Sequence, residues 1–310
     1  MRQFLVYDLG GTLIKYALMN EEGNVIEQGK VPAATDSLDH LLDVLSKVAS
    51  GYKDRFEGVA VSMPGRIDTR NGFAFTGGAF RFMQNVPFAG LLSDRVGTDV
   101  VIANDGKCAA KAEAAKGALK DVENGAVVVL GTGTGGGIVL NHDVWMGQSG
   151  GAGEFSTLVS DLWTIASNGY DRGRWDTIYA GYGSATGLIT RYAEAKGIPV
   201  QEALQTINGI KFFEAYDAGE KEAIDTLEVF GMTTAVGIVS IQCVLDLQRF
   251  AIGGGISARK EVTDVIRNGV EKLFSGSFPL PYSKPEIVTC EFRNEANLIG
   301  ALSFYLSLKG

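Results

Sequence analysis

Short apolar segments that end in glycine-rich turns recur along this chain. Residues 4–7 predict a strand, residues 8–12 a glycine turn, residues 14–19 a second strand and residues 25–28 a third. Residues 126–130, 131–137, 138–140 and 144–146 repeat that order of strand, glycine turn and hairpin. Because the pattern occurs twice, the sequence predicts two three-stranded meanders, each with a first bend of glycine and threonine.

Other apolar segments predict the remaining strands and helices. Residues 59–63 and 100–103 are short β-branched runs that end in polar or Gly/Pro turns, as buried strands do. Apolar residues at helical spacing, or a high alanine content, predict helices over residues 37–50, 107–119, 184–196, 220–245, 259–274 and 294–308. A strand at residues 250–252 leads into a triple-glycine turn and then a helix. A first lobe is predicted to end near residue 115.

The composition indicates how many domains the chain can form and which classes of partner and site it disfavours. The chain has 310 residues, 45% of them hydrophobic and 21% charged, so it can bury the cores of two moderate domains. A net charge of −8 argues against nucleic-acid binding, which needs a clustered excess of Lys and Arg. Three scattered cysteines and two distant histidines suggest no disulfide framework, no zinc site and no Ser-His-Asp triad.

The sequence also predicts a cytoplasmic location and no membrane partner. The N-terminus goes straight into an apolar strand and leaves no room for a signal peptide. The most apolar long stretch, residues 232–245, is shorter than the ~20 residues that span a bilayer, so we expect a buried core helix there. Cysteines without disulfide spacing fit a reducing cytosol.

Three glycine turns, at residues 10–12, 131–137 and 253–255, each follow an apolar strand. Such a turn brings several backbone N–H groups to bear on a phosphate, because no Cβ blocks the approach and a threonine hydroxyl adds a donor. One turn alone is equally well explained as a tight hairpin, whereas three favour a phosphate-binding function. Neither a Walker A motif nor a strict G-x-G-x-x-G that opens a helix is present, which disfavours P-loop and Rossmann folds.

Three carboxylates accompany these turns, and each has two interpretations. Asp8 ends the first strand, where it could hold a hydrated Mg²⁺ or simply form the turn. Asp105 lies between a buried strand and a helix, where it could take a proton from a substrate or cap the helix. Glu154 lies among small residues, where it could accept bonds from sugar hydroxyls or be a solvated surface charge.

Six elements together resemble the ROK family of bacterial sugar kinases and repressors over nearly the whole chain. They are Asp8-Leu9-Gly10-Gly11-Thr12, Met63-Pro64-Gly65, Asn104-Asp105, the run at residues 131–137, Gly151-Ala152-Gly153-Glu154 and Gly253-Gly254-Gly255. The resemblance implies an α/β, actin- and hexokinase-like (ribonuclease H-like) fold of two lobes, with ATP and sugar in the cleft between them. It places a small lobe at residues 1–115 plus the C-terminal helix at about 294–310, and a large lobe at 116–293. It also implies a homodimer.

The resemblance implies a role for each matching residue. Asp105 resembles the catalytic base that takes the proton of the sugar hydroxyl, and Asn104 and Glu154 resemble sugar-binding groups. Asp8 is similar to the acid that holds Mg²⁺, through water. The two phosphate loops correspond to Gly10, Gly11 and Thr12 and to Thr132, Gly133 and Thr134, and the adenosine-side turn corresponds to Gly254 and Gly255.

The chain departs from the family pattern after Glu154. Many members carry a zinc-binding histidine there, followed by a cysteine-rich stretch, whereas residues 158–182 contain neither Cys nor His. The sequence therefore predicts that the chain has no zinc site. Residues 169–183, which are rich in Tyr, Trp, Asp and Arg, replace that stretch and could contact the sugar, an aglycone or another subunit.

The function that the resemblance implies is phosphorylation of a hexose hydroxyl by ATP, with the 6-hydroxyl of glucose or of a β-glucoside as the first expectation. A kinase for fructose or for an N-acyl amino sugar is an alternative, because the zinc-linked sugar contacts are absent. A sugar-sensing repressor is disfavoured because the chain starts at the first strand, without a DNA-reading module. A chaperone or filament ATPase of the same fold remains a third alternative.

Overall fold

The computed structural model of the chain describes residues 1–168, 175–293 and 295–310. The strands are β1 (Gln3–Leu9), β2 (Leu13–Asn20), β3 (Val25–Pro32), β4 (Gly58–Met63), β5 (Ile67–Asp68), β6 (Phe73–Ala74), β7 (Val100–Asn104), β8 (Gly125–Leu130), β9 (Thr134–Leu140), β10 (Asp143–Trp145), β11 (Arg249–Gly253) and β12 (Glu286–Thr289). The α-helices are α1 (Leu38–Ser50), α2 (Phe88–Val96), α3 (Asp105–Lys116), α4 (Leu162–Asn168), α5 (Ala185–Lys196), α6 (Val200–Thr206), α7 (Gly209–Asp217), α8 (Lys221–Leu245), α9 (Lys260–Phe274) and α10 (Ala296–Lys309).

The predicted strands and helices are confirmed, with shifts at their ends. α3 begins at Asp105, two residues earlier than predicted, because the side chain of Asn104 caps it. The predicted first residue of the last helix, at position 294, lies outside the described residues. The prediction missed the short strands β5, β6 and β12 and the helices α2, α4, α6 and α7.

The described chain divides into two compact units. Unit 1 comprises residues 1–120, 137–153 and 294–310, and unit 2 comprises residues 121–136 and 154–293. This division differs from the predicted lobes in two ways: the first stretch of unit 1 runs to residue 120 instead of 115, and unit 1 also contains residues 137–153. The reason is their packing on α3, because a Cβ at Gly137 would lie 2.6 Å from the Cβ of Ala110, and Lys111 Nζ pairs with Asp143 Oδ1 at 2.6 Å.

Unit 1 is built on a five-stranded sheet with the order β3-β2-β1-β4-β7. β1, β2 and β3 form the predicted antiparallel meander, and β4 runs parallel to both β1 and β7. The apolar run of β1 is buried on both faces, as expected of a central strand. Leu5 and Tyr7 pack into a core with α1 and α2, whereas the Phe4 ring lies 5.1 Å from that of Tyr305 in α10.

The carboxyl ends of the parallel strands meet at one edge of this sheet. Asp8 of β1 is in register with Ser62 of β4, and Met63 of β4 is in register with Asn104 of β7. Parallel strands in register bring the polar residues that follow them to a common edge, which is where open α/β sheets bind ligands.

The second five-stranded sheet has the order β10-β9-β8-β11-β12. β11 runs parallel to β8 and β12, and Gly253 at the end of β11 is in register with Val129 near the end of β8. The predicted glycine turns at residues 131–137 and 253–255 therefore begin at the same edge of the sheet. The first turn is shorter than predicted, because β9 already begins at Thr134.

Helix α8 forms the centre of the helical layer of unit 2. It packs against α9, α5 and α7, and its buried residues include Leu227, Phe230 and Ile238. By length and composition it is the one described helix apolar enough to cross a membrane, but half of its most apolar window is buried inside the protein, as in a core helix. The predicted buried helix over residues 232–245 is the second half of α8.

Candidate active site

Asn104 and Asp105 join β7 to α3 at the polar edge of the unit 1 sheet. Asn104 Oδ1 accepts a hydrogen bond from the N–H of Lys107 (3.1 Å), which makes Asn104 the N-cap of α3. Its Nδ2 donates to the Gly65 carbonyl (2.9 Å) and to Asp105 Oδ1 (3.0 Å). Asn104, and not Asp105, is therefore the N-cap of α3, so the alternative that Asp105 caps the helix is wrong.

The Asp105 carboxylate is fixed in direction. It is half-buried, and its Oδ1 accepts from the N–H of Gly106 (2.8 Å) as well as from Asn104. As the first residue of α3, it carries its negative charge at the positive end of the helix dipole. Such a held carboxylate has the chemistry of a general base.

Asp8 lies at the same edge, 9% exposed. Its Oδ1 accepts from Ser62 Oγ (3.1 Å) and from Asn297 Nδ2 of α10 (3.0 Å), and its Oδ2 lies 3.7 Å from Lys15 Nζ. Asp8 is thus part of β1 and not of a turn. Its Oδ1 is oriented by the neutral donors Ser62 and Asn297, and its Oδ2 faces the cation of Lys15. Sequence reasoning missed Asn297, because 289 residues separate it from Asp8.

This arrangement fits the binding of Mg²⁺ through water. The Oδ2 of Asp8 already faces the ammonium group of Lys15, and a hydrated metal ion can take the place of that cation. Mg²⁺ in such a site needs only one or two protein carboxylates, because it keeps several of its waters. Within residues 1–168, 175–293 and 295–310, no three His, Cys, Asp or Glu side chains are grouped to hold a metal directly. The assignment of Asp8 to Mg²⁺ stays a prediction, as does the expected absence of zinc.

The turn at residues 10–12 depends on its glycines. The N–H of Gly10 donates to the Leu13 carbonyl (3.1 Å), and a Cβ at Gly10 would lie 2.8 Å from that same oxygen. A Cβ at Gly11 would lie 2.9 Å from that of Ala79. Thr12 is exposed, so its hydroxyl is accessible to a ligand, as a phosphate loop requires.

Unit 2 contains a cavity of about 660 Å³ at the edge where its two glycine turns meet. This volume lies within the range of small-molecule sites. It is lined by Leu130, Gly131, Thr132, Ala185, Asn208, Gly209, Ile210, Phe213, Glu214, Asp217, Gly255, Ile256, Ala258 and Arg259. The cavity therefore joins the predicted residues Thr132 and Gly255.

The other residues that were predicted to form the glycine loops of unit 2 pack against, or hydrogen-bond to, residues of the same unit. Gly254 has a φ of +95°, and a Cβ there would lie 2.3 Å from the Leu130 carbonyl, so the close approach of the two turns requires glycine. Thr134 is buried, and its Oγ1 donates to the Gly183 carbonyl (2.7 Å). At Gly133, a Cβ would lie 2.8 Å from Ser156 Oγ. The hydroxyl of Thr134 and its N–H, which donates to Ser156 Oγ (2.8 Å), are therefore both engaged within unit 2. Thr132 and Gly133 stay the predicted phosphate-binding residues of this turn.

Arg259, Asp217 and Phe213 form one wall of the cavity, and sequence reasoning missed them. The guanidinium of Arg259 binds Asp217 through two bonds (2.8 and 2.6 Å), contacts Glu261 Oε2 (3.1 Å) and lies 4.6 Å from the centre of the Phe213 ring. The hydrogen bonds from Arg259 lower the pKa of Asp217 and that of Glu261, and their bonds in turn raise the pKa of Arg259. The ion pair fixes the arginine against the aromatic ring.

Glu154 is the first residue of the second segment of unit 2. It is exposed and precedes a short 3₁₀ helix at Phe155–Thr157, and its carbonyl accepts from Thr157 Oγ1 (3.0 Å). Its assignment to sugar binding stays a prediction.

The segment that replaces the zinc motif packs in part against α8. Residues 169–174 lie outside the described residues. Beyond them, Tyr179 is buried, its hydroxyl donates to the Thr234 carbonyl (3.1 Å), and a Cβ at Gly237 would lie 2.3 Å from its ring. Burial raises the pKa of Tyr179. Its ring is therefore a core contact of unit 2 and is not available for stacking on a sugar.

A model of the ROK family matches residues 5–307 of this sequence. The chain belongs to the ROK family. The predicted family is thus confirmed over 303 of 310 residues, from 5 through 307.

Individual ROK relatives cover almost the full length of the chain. A β-glucoside kinase of Klebsiella pneumoniae is 28% identical over 304 residues, which are 97% of this chain and 95% of the relative. A glucokinase of Streptomyces coelicolor is 26% identical over 308 residues, with 95% and 94% covered. The structure of a ROK glucokinase from Streptomyces griseus, in complex with glucose and AMPPNP, covers 97% of this chain and 98% of its own, with a TM-score of 0.80 and 23% identity. The predicted actin- and hexokinase-like fold class is confirmed.

Proposed function

We propose that this ROK chain transfers the γ-phosphoryl group of ATP to the 6-hydroxyl of the glucosyl unit of a β-glucoside, with Asp105 as the general base. The broader class, an ATP-dependent sugar kinase, is the one that the relatives named as β-glucoside kinase and glucokinase share. The observation that carries the proposal is the orientation of Asp105 by Asn104 and the Gly106 N–H at the start of α3.

Unit 1 supplies the acceptor side of the reaction. Asp105 takes the proton of the sugar hydroxyl while that oxygen bonds to the γ-phosphorus and the bond from the phosphorus to the bridging oxygen of ADP breaks. Asn104 holds the carboxylate in place and binds the sugar. The resemblance to the family adds Glu154, which belongs to unit 2, as a second sugar-binding group. A positioned base contributes about 10²- to 10⁴-fold to such a reaction.

Unit 2 supplies the nucleotide site. The adenosine lies in the cavity beside Gly254 and Gly255, against the wall of Phe213 and Arg259. The phosphates meet the turn at Thr132 and Gly133, which Thr134 anchors through its bonds to Gly183 and Ser156. The resemblance to the family assigns the other phosphate loop to Gly10, Gly11 and Thr12. Asp8 would hold Mg²⁺ through water, and the ion would supply positive charge to neutralise the phosphates.

Several finer parts of the proposal rest on the family resemblance and the relatives. The β-glucoside is chosen over free glucose because the Klebsiella relative bears that name. A cytoplasmic homodimer that binds neither nucleic acid nor membrane completes the proposal. Light scattering of the purified protein tests the dimer.

Asp105→Asn tests the assignment of the base. We expect turnover of sugar and ATP to fall at least ~10²-fold, because an amide cannot take the proton, while ATP binding stays within about twofold. The assay measures ADP release with a panel of glucose, β-glucosides, fructose and N-acetylglucosamine, and calorimetry measures ATP binding.

Asp94→Asn is the matched control, because Asp94 is an exposed carboxylate on α2 of the same unit. Near-normal turnover in Asp105→Asn would show that the base is misassigned. ATP turnover by the wild-type protein without any sugar would favour a chaperone-like ATPase, and sugar binding without turnover would favour a sensor.

A further inference from the structure

A small β-hairpin of unit 1, formed by β5 and β6, lies next to the proposed sugar-binding residue Asn104. β5 and β6 pair antiparallel, Ile67 with Ala74 and Asp68 with Phe73. The chain enters this hairpin through Gly65, whose carbonyl accepts the hydrogen bond of Asn104 Nδ2 (2.9 Å). The hairpin is thus anchored on a residue that we assign to sugar binding.

The entry to the hairpin requires glycine at position 65. Gly65 has a φ of +103°, and a Cβ there would lie 2.2 Å from the carbonyl oxygen of Thr76. Arg66 follows directly, and its backbone is held on both sides. Its N–H donates to Thr76 Oγ1 (2.9 Å), and its carbonyl accepts from the N–H of Phe75 (2.9 Å).

The side chain of Arg66 is fixed as well. Its guanidinium carbon lies 4.2 Å from the centre of the Phe75 ring, and that ring lies 5.2 Å from the ring of Phe73. Stacking of this kind limits the freedom of a long side chain before any ligand arrives, which reduces the entropy lost on binding.

The Arg66 guanidinium keeps its donors available. Arg66 is exposed, and in the described part of the chain its side chain has the Phe75 ring as a partner but no ion pair or hydrogen bond. A guanidinium presents five N–H donors in one plane. A ligand that offers several hydroxyl oxygens, such as a sugar ring, matches these donors.

We propose that Arg66, stacked on Phe75, binds the aglycone of the substrate when that aglycone is a second sugar, and so makes the enzyme prefer disaccharides to free glucose. This inference rests on the proposed function. In a glucosyl ring the anomeric carbon and C5, which carries the 6-hydroxymethyl group, are both bonded to the ring oxygen, so a β-linked aglycone leaves the ring on the same side as the hydroxyl that faces Asp105. The hairpin then provides donors for that second ring beside Asn104.

Arg66→Met tests the inference, because methionine keeps an unbranched stem and removes every donor. The ratio of kcat/KM for cellobiose to that for glucose is measured in wild type and variant, and calorimetry measures the binding of each sugar. We expect kcat/KM for cellobiose to fall about 10-fold or more and that for glucose to change less than about 2-fold, since hydrogen bonds to a charged group are lost only for the longer substrate.

Two further variants complete the design. Arg70→Met is the matched control, because Arg70 is an exposed arginine in the turn between β5 and β6, and it is expected to leave both sugars unchanged. Phe75→Leu removes the ring that fixes Arg66, and a loss of about 3-fold on cellobiose alone is expected. Thermal unfolding checks that each variant is folded.

Equal losses on both sugars in Arg66→Met, or no loss on either, would overturn the inference. If the wild-type protein phosphorylates neither sugar, the proposed function has failed, and calorimetry still decides the role of Arg66. Tighter binding of cellobiose than of glucose that disappears in Arg66→Met supports the aglycone contact, and equal binding of the two sugars by the wild type contradicts it.

Discussion

At the scale of the residue, Asn104 shows how one side chain can serve both folding and function. Its oxygen caps α3, while its nitrogen holds the Gly65 carbonyl and the Asp105 carboxylate. The two contributions can be separated, because serine is also a good N-cap but has no amide donor.

We therefore expect Asn104→Ser to retain most of the stability of the protein and Asn104→Ala to lose about 1 kcal/mol more, through loss of the cap. Both variants should bind sugar at least ~10-fold more weakly, because the donor to Gly65 and Asp105 is gone. Urea unfolding and calorimetry with sugar measure the two effects. Strong sugar binding by Asn104→Ser would contradict the assignment of Asn104.

Arg259 and Asp217 give a prediction of pH dependence at the same scale. Arg259 lowers the pKa of Asp217 and that of Glu261, so the ion pairs are fully formed above the ordinary carboxylate pKa of ~4 and are lost only as the pH falls through the lowered values. Affinity for adenosine, which carries no phosphate to titrate, should be level from about pH 8 to about pH 5.

Fluorescence or calorimetric titration with adenosine checks this plateau. Arg259→Lys serves as the comparison, because lysine keeps the charge but cannot form the bidentate bond to Asp217 or stack on Phe213. We expect this variant to bind adenosine about 3- to 10-fold more weakly than the wild type. A fall in wild-type affinity between pH 8 and pH 6 would show that another group controls the cavity.

At the scale of the element, α3 and α10 are packed so closely that their contact depends on one glycine. A Cβ at Gly300 of α10 would lie 1.8 Å from the carbonyl oxygen of Cys108 in α3, and a backbone atom cannot move aside cheaply.

Gly300→Ala should therefore destabilise the protein by at least the ~1–3 kcal/mol typical of overpacking. Gly90→Ala is the control, because a Cβ at Gly90 on α2 meets nothing within 4 Å, and alanine should stabilise that helix by up to ~1 kcal/mol. Midpoints of urea unfolding distinguish the two. Equal midpoints for both variants would mean that α3 and α10 can separate without cost.

The elements also show what the sequence could predict and what it could not. The meander β1–β3 and the glycine turns were predictable, because short apolar runs and the positions of glycines are local signals. β5 and β6 have two residues each, too short for any periodicity, and so the hairpin that carries Arg66 and Phe75 was missed. The bond from Asn297 to Asp8 and the pairing of Arg259 with Asp217 connect distant positions that only the tertiary structure brings together.

At the scale of the whole molecule, unit 1 is assembled from three separate stretches of chain. Its last stretch, α10, covers α3 and the strands β1, β4 and β7 with buried Leu298, Leu302 and Phe304. The sheet of unit 1 would expose a large apolar area without this helix.

Deletion of residues 295–310 should therefore abolish cooperative thermal unfolding and leave the protein insoluble. Deletion of residues 309–310 alone should lower the midpoint only slightly, because both are exposed. Calorimetry and the soluble yield measure the outcome. A soluble, cooperatively folded protein without α10 would show that unit 1 does not need it.

The position of α10 in the sequence has a consequence for biosynthesis. The ribosome makes the strands β1, β4 and β7 early, but it makes the helix that covers them only after all of unit 2. During translation the proposed base Asp105 thus belongs to an incomplete unit, whereas residues 154–293 emerge in one uninterrupted run. A nascent chain that stalls before residue 295 should accordingly expose the apolar face of its first sheet and become a client of chaperones.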